Sequence, residues 1–247
     1  MIAPVSRIEP VGVPRAFDDH APSYDSLVGR NPGYHEHLRL SAERLRLRPS
    51  TPSASPTAAP RRLLDLGCGT GASTAALLAA HPDAEITAVD GSAEMLAVAR
   101  SKEWPPSVRF VHSRLEELAE QGPFDGILAA YLVRNLADRD AGLKVMHDLL
   151  APGAPLAVHE YSVADSARAR ATWTAVSWAI IIPMGKRATG SADLYRYLWR
   201  SVLSFDGATA LADRMRAAGF ADVSVEPMTG WQRGIVHTFL GRRVDPG

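Results

Sequence analysis

The stretch Leu63-Leu64-Asp65-Leu66-Gly67-Cys68-Gly69-Thr70-Gly71 decides how the chain is read. Its apolar start predicts a short strand. The alternate glycines that follow predict a loop whose backbone can approach a ligand closely, because no Cβ stands in the way. Residues 72–80, rich in Ala and Leu, predict a helix. Strand, glycine loop and helix open an α/β unit, and the segments that follow repeat it. Glu85–Val89 predicts a second strand stopped at Asp90-Gly91, and Ser92 caps a helix over 93–100 with Glu94 in its first turn. Val108–Val111, Phe124–Ala130 and Pro155–His159 predict three more strands, with a helix over 139–150 ended by Ala151-Pro152-Gly153. A helix over 208–218 and strands over 222–226 and 234–240 close the chain. The expectation is an α/β fold: a Rossmann-like, mostly parallel sheet with helices on both faces and one antiparallel strand from the terminal pair.

Two segments stand outside this alternation. Residues 1–47 read as an N-terminal arm, with a compact patch from Phe17 to Asp25 and an amphipathic helix from Glu36 to Leu47. Residues 48–60 hold four prolines among small residues and predict a linker before the main domain, 61–247. Residues 164–206 read as a helical cap over the carboxyl edge of the sheet. It carries the apolar run Trp173–Ile182, closed by Pro183, and a second helix from Ala192 to Val202.

Composition removes several classes of function. The 247 residues carry 27 Lys+Arg against 27 Asp+Glu, which argues against a general nucleic-acid binder. The single cysteine excludes an internal disulfide framework and Cys-rich metal sites, and the eight histidines show no spaced ligand pair, so no metal is expected. No apolar run reaches the roughly 18–20 residues of a membrane span, and the first residues lack the apolar core of a signal peptide. The expected compartment is the cytoplasm, with a shallow peripheral membrane contact left open.

In an open parallel sheet, ligands sit beyond the carboxyl ends of the strands, next to the first loop. An acid at the end of the second strand, Asp90, suits the ribose hydroxyls of a nucleoside. Asp65 lies inside the first strand, where an anion repels a pyrophosphate and favours a ligand with an ammonium group. The Gly-x-Gly-x-Gly spacing also differs from the dinucleotide Gly-x-Gly-x-x-Gly. Both points favour S-adenosylmethionine over NAD.

These residues resemble motif I and the following acid of the class I S-adenosylmethionine-dependent methyltransferases. The resemblance implies that Asp65, Gly67 and Gly69 line the methionine end and Asp90 holds the ribose, with Cys68, Gly71 and Gly91 in the same cofactor site, where Cys68 reads as small-residue packing. It implies that Met95, Ser113, Arg114, Leu115 and Ala130 complete the cofactor site. Met95 reads equally well as core packing. Further motifs in one order narrow the likeness: Tyr131-Leu-Val-Arg134-Asn135, Ile182-Pro-Met-Gly185, Tyr195-Arg-Tyr-Leu198, Ala218-Gly-Phe220 and Met228-Thr-Gly230. Together they resemble the ubiquinone/menaquinone-biosynthesis C-methyltransferases over about residues 16–241. Ala151-Pro-Gly-Ala-Pro155 departs from that family's Lys-Pro-Gly-Gly.

The resemblance implies methyl transfer to a small aromatic or prenylated quinol. Arg134 and Asn135 are the expected catalytic pair. Arg is a poor base because its pKa exceeds about 12, so phenolate stabilisation or the positioning of a water is its role, with Asn135 as orienting partner. A salt bridge from Arg134 to Asp138 is the bland alternative. Tyr24 and Tyr195 are expected to close the site from arm and cap, or else simply to pack. His159 reads as a base or a satisfied structural histidine, and Trp173–Met184 as a wall for a prenyl tail, a membrane contact or a buried helix. Three alternatives stand beside the leading reading: a phenolic or polyketide-like acceptor, a non-catalytic S-adenosylmethionine-binding protein, and an NAD enzyme.

Overall fold

The computed structural model describes Asp25, Gly29 and residues 31–47, 59–119 and 122–244. Seven strands make one sheet: β1 (Arg62–Leu66), β2 (Glu85–Asp90), β3 (Val108–His112), β4 (Gly126–Ala130), β5 (Pro155–Tyr161), β6 (Phe220–Pro227) and β7 (Val236–Arg243). Their order is β3-β2-β1-β4-β5-β7-β6. Strand pairs on the β3 to β5 side are parallel, while β7 runs antiparallel to both β5 and β6. The expected antiparallel strand is therefore β7.

The helices are α1 (Tyr34–Arg44), α2 (Ala72–Ala80), α3 (Ala93–Arg100), α4 (Arg139–Leu149), α5 (Ala167–Val176), α6 (Ile182–Thr189), α7 (Asp193–Leu203) and α8 (Ala208–Ala217). Strands β4 and β5 are buried along their whole length, because helices cover both faces of the sheet. The two-residue strand period then sorts side chains between two cores. Leu64, Leu66, Ile127 and Leu156 pack on one side with Leu143 of α4 and Met215 of α8. Leu63 and Leu128 pack on the other, with Leu38 of α1 and Leu77 of α2. Each fully buried leucine contributes about 2 kcal/mol, and truncating Leu64 to Ala costs about 2–5 kcal/mol once the cavity is counted.

The helix predicted from Glu36 begins at Tyr34 and lies against the sheet, where His37, Leu38, Ser41 and Ala42 are buried. The capping of α3 by Ser92 is present: its hydroxyl accepts from the Met95 N–H at 3.1 Å. The cap departs from expectation at Pro183. The helical path does not stop there but runs through a π turn, Ser177–Ile181, with Pro183 in the first turn of α6. Proline lacks an N–H and clashes with the carbonyl four residues back, and Pro183 is placed where a helix tolerates it, in a first turn directly after the π turn. The apolar run is also not buried throughout: Trp173 and Ile182 are buried, whereas Trp178 and Ile180 stand exposed.

Candidate active site

A cavity of about 610 Å3 lies between the carboxyl ends of β1, β2 and β4 and the helices of the cap. Its floor begins at the glycine loop. Gly67 and Cys68 donate their N–H groups to the Val89 carbonyl at 2.8 and 3.0 Å, binding the loop to the end of β2. The Gly69 N–H donates to Asp90 Oδ2 at 2.7 Å, and the Ser92 N–H to Asp90 Oδ1 at 2.8 Å. Asp90 is thus oriented by two backbone donors at the cavity edge. Gly69 has φ +52°, and a Cβ there would meet nothing within 4 Å; the loop leaves open space where a ligand can rest on the backbone. Gly71 is required for a different reason. It has φ +94°, and a Cβ would stand 2.8 Å from the Trp104 ring.

Asp25 anchors this loop. Its Oδ1 accepts from the Thr70 hydroxyl at 2.5 Å, and Oδ2 pairs with Lys102 Nζ at 2.6 Å. Lys102 in turn donates to the Thr70 carbonyl at 2.7 Å. Both carboxylate oxygens of Asp25 are therefore tied to the loop and to Lys102 beside it.

Asp65 faces the α2 side of β1, as the alternation with Leu64 and Leu66 requires. It is fully buried, and Oδ2 accepts from Ser73 at 2.8 Å and Thr74 at 2.6 Å in the first turn of α2. Oδ1 is buried with no hydrogen-bond partner among the described residues. Burial raises its pKa to about 7, against the pull of the two hydroxyls. Asp65 lies under the loop, and neither it nor Gly71 lines the cavity. Cys68 does line it, but burial pushes its thiol well above the ordinary value, so it stays protonated and inert.

Gly91, Met95 and Ala130 reach the cavity from the ends of β2, α3 and β4. Ser113, Arg114 and Leu115 approach it from the segment after β3, held by the Ser113 N–H donating to the Asp90 carbonyl at 3.0 Å.

Across the cavity, Arg134 and Asn135 sit in a 3-10 turn, Val133–Asn135, beyond β4. Arg134 is 6% exposed and is paired with Glu160 of β5, not with Asp138. Its backbone N–H donates to Oε2 at 3.2 Å and its Nε to Oε1 at 3.3 Å. Its Nη1 donates to Ser201 Oγ at 2.7 Å and to Asn135 Oδ1 at 3.2 Å. Asp138 instead caps α4, accepting from the Ala141 N–H at 3.0 Å. Burial raises the Glu160 pKa and Arg134 opposes the rise. Asn135 donates to the Tyr131 carbonyl at 3.0 Å and accepts from the Tyr197 hydroxyl at 3.0 Å. The sequence places Glu160 with His159 at the end of the fifth strand beside the cleft but gives a role neither to it nor to Tyr197. The pairing of Tyr195 with Tyr197 in one motif was the available signal.

Tyr195 lines the cavity, and its ring packs over Gly185, where a Cβ would collide with it. Burial raises the pKa of both tyrosines. Tyr24 lies outside the described residues. His159 is fully buried beneath the cavity: Nε2 meets the Tyr131 hydroxyl at 2.9 Å and Nδ1 meets Ser41 Oγ at 2.8 Å. Ser41 continues to Thr238 at 2.8 Å, which accepts from Arg44 at 2.9 Å. Burial, reinforced by His37 and Arg44, lowers the His159 pKa to about 3, so it is a neutral link in a polar chain. Tyr131 itself has φ +56°, a strained value for a tyrosine, and its N–H donates to the His159 carbonyl at 2.7 Å. Its ring stacks on Tyr34 with centroids 5.9 Å apart. No cluster of His, Cys, Asp or Glu suited to a metal ion occurs among the described residues.

The strand order, the glycine loop and the acid ending β2 define a class I, Rossmann-like S-adenosylmethionine-dependent methyltransferase. The fold matches a solved S-adenosylmethionine-dependent methyltransferase of Thermotoga maritima with TM-score 0.60 and 18% identity, covering 93% of this chain and 99% of that one. The profile of the ubiE/COQ5 methyltransferase family matches residues 39–243, and the chain belongs to that family. The ubiquinone/menaquinone biosynthesis C-methyltransferase UbiE of Bradyrhizobium diazoefficiens is 34% identical over 191 residues, 75% of this chain and 74% of the relative. The demethylmenaquinone methyltransferase of Thermus thermophilus is 32% identical over 208 residues, 83% of this chain and 91% of the relative.

Proposed function

We propose that the protein C-methylates the ring of a demethylmenaquinol-like quinol, using S-adenosylmethionine bound along the glycine loop. The observation that carries this reading is one continuous cavity. It runs from Gly69 and Asp90, past Arg134, Asn135 and Tyr197, to the apolar cap residues Val176, Ile181 and Leu198. Its volume of about 610 Å3 is that of a ligand site, not of a surface dent. The names of both relatives agree with a quinone-type acceptor.

The residues fit the cofactor. The unpartnered Oδ1 of Asp65, buried beneath the glycine loop, is an acceptor that would ionise beside an ammonium group, and the open space over Gly69 admits a ligand against the backbone. Asp90 would accept the ribose hydroxyls, and Met95, Leu115 and Ala130 would enclose the adenine, with Ser113 and Arg114 at its edge. When bound, S-adenosylmethionine supplies an electrophilic methyl group on its sulfonium.

The chain's own work is to orient the acceptor and to stabilise its phenolate. Arg134 cannot serve as a base, and Glu160, Ser201 and Asn135 fix its guanidinium in one pose. Its positive charge lowers the cost of releasing the phenol proton to solvent water, and the phenolate so formed has a higher electron density at the adjacent ring carbon. Asn135 and Tyr197 orient the ring oxygen, while Tyr195 and the apolar cap exclude water and take the prenyl tail. We place the reaction on the cytoplasmic side of the membrane that holds the prenylated acceptor.

The test is methyl transfer from labelled S-adenosylmethionine to prenylated and unprenylated demethylnaphthoquinols, reduced in situ. A C-methylated product is expected. Inactivity on every quinol, with S-adenosylhomocysteine still bound, would overturn the acceptor.

A further inference from the structure

We infer that the π turn of the cap, Ser177–Ile181, with the basic residues on either side of it, is a docking surface for an anionic lipid bilayer, set at the mouth of the cavity. Among the described residues the large apolar side chains left exposed are Trp178 at 49%, Ile180 at 50% and Val244 at 52%, and the first two share this turn. Trp178 is not a loose side chain. Its ring meets Trp199 edge-on, with centroids 5.5 Å apart, so it presents a fixed aromatic edge to solvent. Tryptophan held in this way suits the headgroup level of a membrane, where an amphipathic ring is most stable.

Charge favours the same occupant. From Ala167 to Thr189 the charged residues are Arg168, Arg170, Lys186 and Arg187, all exposed, with no acid among them. The whole chain, by contrast, balances 27 basic against 27 acidic residues. One basic pair precedes the apolar turn and the other follows it. An exposed apolar centre between cationic ends is the pattern of an interfacial helix lying in the plane of an anionic membrane. A second copy of the chain is a poorer occupant, because a two-fold contact would bring two like-charged faces together.

The surface is also continuous with the site. Ile180, half exposed, lines the cavity, as do Ile181 and Met184. A bilayer seated on Trp178 would therefore touch the apolar end of the cavity. If the quinol reading holds, a prenylated acceptor passes from lipid into the site without crossing water.

Purified full-length protein sedimented with vesicles rich in phosphatidylglycerol is expected to bind, and to bind less to pure phosphatidylcholine vesicles. Lys186→Glu with Arg187→Glu should weaken binding to the anionic vesicles about 25-fold or more, since each basic residue near such a surface is worth about 1 kcal/mol, or about fivefold. Trp178→Ser should weaken it about tenfold on both vesicle types, the value of burying one large apolar side chain. Turnover of an unprenylated, water-soluble quinol should be unchanged in either variant. Wild-type protein that ignores both vesicle types, or a charge-reversed variant that binds anionic vesicles like wild type, would overturn the surface. So would a Trp178→Ser change that converts a dimer to monomer without altering vesicle binding. Vesicle binding with no methyl transfer to any quinol would overturn the acceptor reading alone.

Discussion

Glu160, wholly buried at the end of β5, receives both the backbone N–H and the Nε of Arg134, at 3.2 and 3.3 Å. One carboxylate thereby sets both the position of the 3-10 turn after β4 and the direction of its guanidinium. Glu160→Gln removes the countercharge and leaves a buried cation. Breaking a buried pair in this way costs about 3–5 kcal/mol of stability. Chemical denaturation should show that loss. Of the protein that folds, turnover should fall with little change in S-adenosylhomocysteine affinity, because the pair lies across the cavity from the glycine loop. Equal losses in both would sink the proposed separation of roles.

Tyr197 and Tyr195 should differ when each is changed to Phe. Tyr197 donates to Asn135 Oδ1 at 3.0 Å, so Tyr197→Phe frees the amide and should lower kcat roughly tenfold, the worth of about one hydrogen bond. Tyr195, whose hydroxyl meets the Thr189 side chain, keeps its ring over Gly185 as Phe, and a smaller loss of kcat is expected. A steady-state comparison in which Tyr195→Phe is the more damaged variant would reverse this assignment.

Asp65 makes the unliganded protein less stable as pH rises from acid to neutral. Its folded pKa of about 7 lies above the ordinary 3.8, so its protonated form favours folding. That contribution is complete below about pH 4 and disappears as pH rises through about 7, at most about 4 kcal/mol. Melting temperatures should fall over this range, and Asp65→Asn should remove that fall. A bound ammonium would favour the ionised form, so calorimetry should show S-adenosylmethionine binding tighten from pH 6 to 8 in wild type only.

His159 acts with the opposite sign. Burial lowers its pKa from 6.5 to about 3, so its stabilising neutral form is complete above pH 6.5 and lost as acid drives pH towards 3. His159→Gln, able to keep a hydrogen bond in the Ser41 chain, should flatten the acid limb of a pH–stability profile. An unchanged limb would remove His159 as its source.

Asp25 should report its own coupling to the glycine loop. Asp25→Asn keeps an acceptor for Thr70 but loses the ion pair with Lys102. Because that pair is partly exposed, the expected effect is a loss of cofactor affinity of a few-fold at most, with fold stability nearly unchanged. Titration at high and low salt should bring the variant and wild type together as salt rises.

Most of this architecture was legible in the sequence because it rests on local, periodic rules. The apolar runs set the strands, the glycine loop set the first turn, and Ser92 set a helix cap. The order of β and α segments announced a sheet with helices on both faces, and the closing pair announced the reversed β7. Residue type also marked Asp90 at a strand end and Arg134-Asn135 after β4. Long-range partners obey no such spacing. That Arg134 would meet Glu160 rather than Asp138 depended on the register of β4 against β5. That Tyr197 would meet Asn135 depended on the rotation of α7 about its own axis. Asp65 went under the loop because β1 alternates its faces and α2 brings Ser73 and Thr74 over that face. Whether Trp178 would be buried could not follow from its apolar surroundings either, since the π turn shifts every following residue around the helix. Sequence by itself determined the elements, their order and the chemistry available; packing decided which groups touch, because hydrogen bonds and burial depend on distances that only the assembled sheet and cap define.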